Sequence, residues 1–375
     1  VGYRYCVFGA GRQGTAVIYD LVKFCEADWV VVYEPSDRSR RLAHEKLNSL
    51  LEDDYDKVLW VSTLDDRRTP KIDWKSFDVM ISCAPWKENL GLTEFAVRWN
   101  TPFCDLGGHP ETVARQENVI TDTAIVPDCG LSPGISNILA VHLAKLGYDN
   151  IQVRCGGIPM GNTSVGEFNQ GLCYRLTFDP TGLISEYSGR VPIIISGELK
   201  YIESLSTIEL YKDGRYECAP TSNNSPQVVQ TLLDLGVKYY NYMTIRHKGH
   251  WNLVKGWKAA GFLSGNKKAD AYLVEVLGEN PLLKYDPEKH VDKVLLNISG
   301  TRGENSLKQT GGFDFLVLAD PETKFSAMEQ MTSWGITMVA HYMATRNGTP
   351  NKFATPERFV SGDWILEGLN KRLPS

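Results

Sequence analysis

Three observations predict an α/β chain built on a doubly wound parallel sheet, with a second, mixed-sheet domain following it. A strand-like run, Tyr3 to Phe8, enters the glycine turn Gly9-Ala10-Gly11-Arg12-Gln13-Gly14, and apolar residues at helical spacing follow at Ala16, Val17, Tyr19 and Leu21. Buried-type strand runs then recur with helix-compatible segments between several of them, the pattern of a sheet covered on both faces. After Gly130 the texture changes to short alternating runs broken by Asp-Pro, Ser-Gly and Lys-Asp-Gly turns.

Taken in order, residues 29–33 form the second expected strand, ending at Glu34, and residues 58–61 the third. Residues 78–85, 102–108 and 123–126 supply the fourth, fifth and sixth. A helix is expected over 133–145, since Ser132-Pro133 is a good start signal and Gly147 a good stop. Strands are expected at 174–178, 192–195 and 207–211, helices at 227–235 and 250–262. Strand-like runs at 293–298 and 314–318 flank a glycine-rich loop, and a long helix covers 325–345. The first domain is placed at 1–130, possibly completed by 325–375, and the second at 131–324.

The 40 basic and 45 acidic residues leave a formal charge of -5, without the basic excess that phosphate-backbone binding demands, so nucleic acid is not an expected partner. No apolar stretch approaches the ~20 residues of a membrane helix, and a first strand starting at Tyr3 leaves no room for a secretory leader. A soluble, cytoplasmic protein is expected. The eight cysteines include no CxxC pair and are expected to be reduced thiols.

In the glycine turn, Gly9 permits the tight bend, Gly11 admits a pyrophosphate and Gly14 lets helix and strand approach. Ala10, Arg12 and Gln13 belong to the same cofactor loop. Glu34, at the end of the second strand, can accept hydrogen bonds from ribose hydroxyls and repel a 2'-phosphate, which favours NAD over NADP. Arg38, Arg40 and Arg41 pull the other way, because a loop arginine can neutralise that phosphate. Asp65, just beyond the third strand, either meets adenine or caps a turn. Cys83, Ala84 and Pro85 close the fourth strand, where small residues let backbone approach the cofactor.

The GAGRQG turn, Ile81-Ser82-Cys83-Ala84-Pro85, Cys104-Asp105-Leu106-Gly107-Gly108, the segment 126–137 (VPDCGLSPGISN), Cys155-Gly156-Gly157-Ile158-Pro159 and the segment 244–250 (TIRHKGH) occur in an order that resembles the saccharopine dehydrogenase-like oxidoreductases. The resemblance is closest to the L-lysine 6-dehydrogenase branch and spans nearly the whole chain. It implies a Rossmann-type domain followed by an α/β substrate domain that also forms a homodimer, with NAD(P) between them. It further implies oxidation of the side-chain amine of lysine to the 6-semialdehyde, which cyclises to a piperideine carboxylate.

Several site residues follow from the resemblance. Arg246 matches the family's motif arginine and is a candidate clamp for the substrate α-carboxylate; an arginine in a structural ion pair is the other reading. His109, read from its place just past a strand end on the cofactor side, either contacts substrate or fills a turn, and it and Asn89 are the next candidates for that clamp. Asp128 and Cys129 lie in the linker between the domains, where ligands of open α/β sheets collect; Asp128 binds or deprotonates the amine, or enters the helix as a cap. Cys155 matches a cysteine of glutamate-forming reductases that is a candidate proton-transfer group, though strand cysteines are mostly core. Trp86 and Ser132 replace a tyrosine and an aspartate of those reductases, which argues against saccharopine as substrate. His247 and His250 are spaced i, i+3 but have no third ligand in a recognisable pattern, so packing is favoured over metal binding. The rival readings are a saccharopine- or carboxynorspermidine-type dehydrogenase, and a regulatory module that binds NAD and catalyses nothing.

Overall fold

The first strand is buried from Tyr5 to Phe8 and ends at Gly9, whose positive φ of 93° turns the chain into a helix. The structure is a computed structural model and describes residues 2–64, 72–107, 109–160, 172–222, 225–287, 289–303, 308–345, 350 and 352–373. In chain order, β1 (Tyr3–Phe8), α1 (Arg12–Phe24), β2 (Ala27–Tyr33), α2 (Asp37–Leu51) and β3 (Val58–Val61) are followed by β4 (Val79–Ser82), α3 (Asn89–Trp99), β5 (Phe103–Asp105), α4 (Pro110–Glu117) and β6 (Ile125–Val126). α5 (Ile135–Lys145) precedes β7 (Asn150–Met160), α6 (Pro180–Tyr187), β8 (Arg190–Ile195), β9 (Glu198–Glu203), β10 (Glu209–Tyr211) and β11 (Tyr216–Ala219). Then come α7 (Pro226–Asp234), β12 (Tyr239–His247), α8 (His250–Ala259), α9 (Lys267–Glu279), β13 (Val291–Arg302), β14 (Gln309–Leu318), α10 (Ala327–Ala344) and α11 (Gly362–Arg372).

The chain forms two compact units, residues 1–138 with 329–375, and residues 139–328. The first carries a parallel sheet in the order β3-β2-β1-β4-β5-β6. Strand order reverses between β1 and β4, the switch point at which such sheets open a crevice beyond their carboxyl ends. One apolar cluster packs Cys6, Phe8, Val31, Met80, Phe103 and Ile125 of the strands with Trp74, Leu92 and Ala96.

The second unit is a mixed sheet, β10-β11-β12-β7-β13-β14, with the β8–β9 hairpin joined to β12. β12 and β7 run parallel, while β13 pairs antiparallel to both β7 and β14. The glycines expected to form a loop before residue 314 lie partly inside β14. Gly311 faces Gly300 across the ladder, and the Tyr148 ring covers the pair: a Cβ would fall 2.2 Å from its hydroxyl at one glycine and 2.9 Å from its ring at the other. The absent side chains make the groove that the ring fills.

The expected strand at 174–178 is corrected: only a bridge from Leu176 to Lys284 forms there. Leu172 and Tyr174 are buried with Leu183, Tyr187, Trp251 and Leu273, so the apolar alternation reports packing against helices and not a ladder.

A buried ion pair fastens α11 to α1. Arg372 donates from Nε and NH2 to the two carboxylate oxygens of Asp20 at 2.8 and 2.7 Å, and both side chains are almost fully enclosed. Arg372→Ala leaves the Asp20 charge buried without its partner. It should cost about 3–5 kcal/mol in a denaturant melt.

Candidate functional site

The turn between β1 and α1 is an anion cradle by construction. A Cβ on Gly14 would lie 2.0 Å from the Gly9 carbonyl oxygen, and one on Gly9 would lie 3.1 Å from the backbone of Cys83 and Ala84. These glycines set the close approach of β1, α1 and the end of β4. Gly11 differs: nothing lies within 4 Å of the Cβ position there, so open space faces the start of α1. Gly11 is the helix N-cap and supplies no side-chain cap, which leaves the first-turn N–H groups to a ligand. Gln13 adds a buried side-chain oxygen with no hydrogen-bond partner.

Glu34 closes the other side of the turn. Its Oε2 accepts the Ala10 N–H and its Oε1 the Ser36 N–H, both at 2.8 Å, which fixes the carboxylate at the end of β2. Arg40 donates to the Glu34 carbonyl oxygen and pairs with Asp37, so its charge is committed locally. Arg12 pairs with Glu329 at 2.6 Å. Asp65 lies outside the described residues. The residues present fit a dinucleotide: an open glycine for a pyrophosphate, a helix N-terminus, an acid at the second strand's end and an unpartnered acceptor.

Beyond the carboxyl ends of β4 and β5, Trp86 and His109 stack with ring centres 4.1 Å apart and planes 10° apart. The His109 Nδ1 is buried without a partner. Asn89 is enclosed, and its Oδ1 accepts the Ser82 hydroxyl at 2.8 Å, which commits that atom to the β4–α3 junction.

Asp105 ends β5 and Asp128 follows β6, both buried. The Asp105 Oδ1 accepts the Gly107 N–H at 2.7 Å, and Oδ2 accepts the Gln116 amide at 2.6 Å. Asp128, in left-handed backbone at φ 62°, rests its Oδ1 2.0 Å from where a Gly107 Cβ would stand. Only glycine fits between the two acids. Burial pushes the Asp105 carboxyl up to about 6, and burial with Asp105 and Glu357 nearby pushes Asp128 up as well. Burial raises the enclosed Cys129 thiol and the partly buried Cys83 thiol far from ionisation, and the Cys129 Sγ points to the Val126 and Pro127 carbonyls. Any cofactor contact at 83–85 and 129 therefore falls to backbone.

In the second unit, Arg246 on β12 is enclosed by Tyr174, Tyr187 and Trp251. It donates from Nε to Tyr187 Oη at 2.9 Å, from NH1 to the Ile245 carbonyl and from NH2 to Glu186 at 3.4 Å. The Leu172 carbonyl lies 2.7 Å from His250 Nδ1, so that nitrogen carries the proton; Nε2 then accepts from Tyr187. Burial first, then Arg246, lowers His250 to about 3 and keeps it neutral. His247 bonds the Pro159 carbonyl. Both histidines are engaged in packing, and the described residues hold no cluster of three or more His, Cys, Asp or Glu able to bind a metal. Cys155 is buried and its thiol is pushed up to about 12 by burial and Glu186, which leaves little thiolate for proton transfer. The neighbouring glycines serve packing: a Gly156 Cβ would meet the Ile245 oxygen at 2.2 Å, and a Gly157 Cβ the Met328 side chain at 2.4 Å.

Sequence reasoning passed over Asp105, Gln116 and Glu186. Asp105 stood inside a quoted motif, but its carboxyl's closeness to Asp128 comes from the pairing of β5 with β6.

The saccharopine dehydrogenase C-terminal domain profile matches residues 130–373, well over half of the chain, and the chain belongs to that family. Among solved structures, the fold is similar to apo saccharopine dehydrogenase (L-Glu forming) from Saccharomyces cerevisiae, with a TM-score of 0.72, 15% identity, and coverage of 99% of this chain and 98% of that one. Lower likenesses include an engineered D-amino acid dehydrogenase bound to NADP+ (TM-score 0.45, 12% identity, 99% of each chain) and the C. glutamicum DAP dehydrogenase in complex with DAP (TM-score 0.40, 12% identity, 99% of each chain). The α/β class with a Rossmann-type parallel sheet and a second mixed sheet is thus established. No helix among the described residues is long and apolar enough to cross a membrane.

The raised acids have a signed consequence for stability. The folded state holds the Asp105 proton up to about pH 6, whereas an unfolded carboxyl releases it near 3.8, so this contribution is full below the lower value and fades as pH rises through the upper one. Asp105→Asn should therefore gain on the unaltered protein as pH climbs from about 4 to 7. Urea midpoints measured across that range check the crossing trend.

Proposed function

We propose that the protein is an NAD-dependent amine dehydrogenase that oxidises the side-chain amine of L-lysine. The observation that carries the reading is the open cradle at Gly11, bounded by Glu34 and following β1 of the same sheet whose β6 leads into Asp128. Family membership supports an oxidoreductase. The balanced reaction takes the lysine side-chain ammonium, NAD+ and water to the 6-semialdehyde, NADH, ammonium and a proton. A bound nicotinamide supplies the hydride acceptor.

The chain's residues supply the rest. The start of α1 and Gly11 receive the pyrophosphate, and Glu34 keeps acceptor capacity for ribose hydroxyls while repelling a 2'-phosphate. Asp128 takes the proton that must leave the ammonium before its carbon can give up hydride. The Trp86–His109 stack forms an aromatic wall beyond β4 and β5, with His109 facing substrate. Arg246 has more N–H donors than its present partners take up and binds the α-carboxylate through the remainder. The substrate-domain role of residues 139–328 and homodimer formation through that unit complete the reading, as does a cytoplasmic location.

Mixing the protein with NAD+ and each of a panel of amines, and following NADH absorbance, tests the proposal. Steady turnover with lysine alone is expected. No turnover with lysine, but turnover with a secondary amine such as saccharopine, would favour the rival enzyme reading; nucleotide binding without any turnover would favour a sensor. NAD should outperform NADP, and Glu34→Ala should narrow the gap, since the substitution removes the repelling carboxylate.

Arg246→Lys keeps the charge and loses the fork that grips a carboxylate. The preference for lysine over cadaverine, which lacks that carboxylate, should fall by about tenfold, the order of one lost charge-assisted contact. A thermal melt run alongside reports any loosening of the Glu186 pair separately.

A further inference from the structure

The buried acids of the first unit carry an inference that rests on the amine-oxidation reading and deepens it. Asp105 and Asp128 approach each other across Gly107, one accepting that residue's N–H and the other resting against its Cα. The Asp128 N–H also bonds to Asp105, and the Cys129 N–H donates to the Asp105 carbonyl at 2.9 Å. A third acid, Glu357, arrives from the C-terminal segment: Phe353 pairs in parallel with Ile125, so residues 356–358 run beside the loop that carries Asp128. Glu357 is fully enclosed. Its Oε1 accepts the Thr355 hydroxyl at 2.6 Å, and its Oε2 has no partner.

The described groups facing Asp128 are thus Asp105 from β5, Glu357 from that segment, and the neutral thiol of Cys129, which itself meets Cys104. Arg358 faces Glu357, but no salt bridge joins a cation to any of the three acids among the described residues. Gln116 supplies a second pointer. Its amide nitrogen serves Asp105 and Thr93, yet its Oε1 is fully buried and lacks a donor. Buried acceptors without donors, beside an Asp105–Asp128 pair that no salt bridge joins to a cation among the described residues, are what remains when mobile protons are left out of the count.

We propose that Asp105 is a positioning residue acting through Asp128: it fixes the Gly107 turn against which the Asp128 carboxyl lies, and the two acids hold one proton between them. Asp105, with a donor on each oxygen, is the better anion. Asp128 is therefore the member that carries the proton and exchanges it with a ligand's amine. In the proposed reaction the pair first releases its shared proton to water; the ammonium proton then passes to the Asp128 carboxylate so freed, and the nitrogen lone pair it leaves behind assists hydride departure from the adjacent carbon. Asp105 touches no substrate in this scheme.

The test is a pH titration of 13C-labelled aspartate carboxyls by NMR on the full chain without substrate or cofactor. Asp105 and Asp128 should titrate together in two linked steps. Asp105→Asn should convert Asp128 to a single step lying about one pH unit or more lower, the size a lost like charge gives at close range. Gln116 can turn its free Oε1 toward the new amide, which favours folding of that variant. Gln116→Leu provides a second handle: it strips a donor from Asp105, so Asp105 should titrate higher and Asp128 lower. Glu357→Gln should move Asp128 less than Asp105→Asn does. An Asp128 titration unchanged in both Asp105→Asn and Gln116→Leu, with only the melting temperature moved, would overturn the proposal and leave Asp105 a structural residue. Because no substrate is present, inactivity toward lysine would count against the proposed reaction and not against the carboxyl pair.

Discussion

The contact between Gly14 and the Gly9 carbonyl governs the first unit. A methyl group at Gly14 would stand 2.0 Å from that oxygen, so any side chain there would force α1 away from β1. That displacement would spread. Gly9 is the neighbour of Cys83 and Ala84, and its N–H donates to the Tyr33 carbonyl at 2.8 Å, which joins the turn to β2 and β4 together. Glu34, held by Ala10 and Ser36, is the next link. One close approach of backbone to backbone thus sets where α1 begins, where the acid stands, and how wide the space at Gly11 is.

How much of this is legible in the sequence depends on how local the cause is. The β1 turn and the β2 strand are readable because period, glycine spacing and burial coincide over a few residues. Elements whose cause lies elsewhere are not. β12 begins Tyr239-Tyr240-Asn241-Tyr242, where tyrosines and an asparagine hide which face is apolar, and it is a strand because β7 and β11 pair with it on either side. α9 buries only Leu273 and Leu277, too little to stand out. The stretch 174–178 shows the opposite failure, an alternation that is real but spent on helices. Among site residues, the cofactor turn was legible for the same local reason. The Asp105–Asp128 approach was not, since it is fixed by strand pairing and by a glycine whose importance is that nothing is attached to it.

The two units handle buried charge in opposite ways. In the second, Arg246 meets Glu186, Glu186 accepts from Thr244 at 2.8 Å, and Thr244 meets Thr221 at 2.7 Å, while Tyr187 passes from Arg246 to His250 to the Leu172 carbonyl. Each hydroxyl and ring nitrogen along these paths has a partner, and the end groups fix the direction of the rest. Such a network specifies one packing and leaves little freedom for protons. Arg246 consequently has a structural duty whatever else it binds.

The first unit also knows how to satisfy a buried charge, as Asp20 with Arg372 shows. The enclosed Asp105 and Asp128 beside Gly107, with Glu357 facing Asp128, are therefore not explained by a shortage of cations in the fold. Burying acids without counter-charge costs stability at neutral pH, and stability alone would favour amides at those positions. Local rules broken at the carboxyl end of a parallel sheet that also carries an open glycine turn are expected where chemistry and not packing has fixed the residues. The arrangement makes sense for a site that must take a proton from a cation and give it back. An acid already neutralised by arginine would have little affinity for that proton, whereas an acid crowded by another acid keeps it within reach.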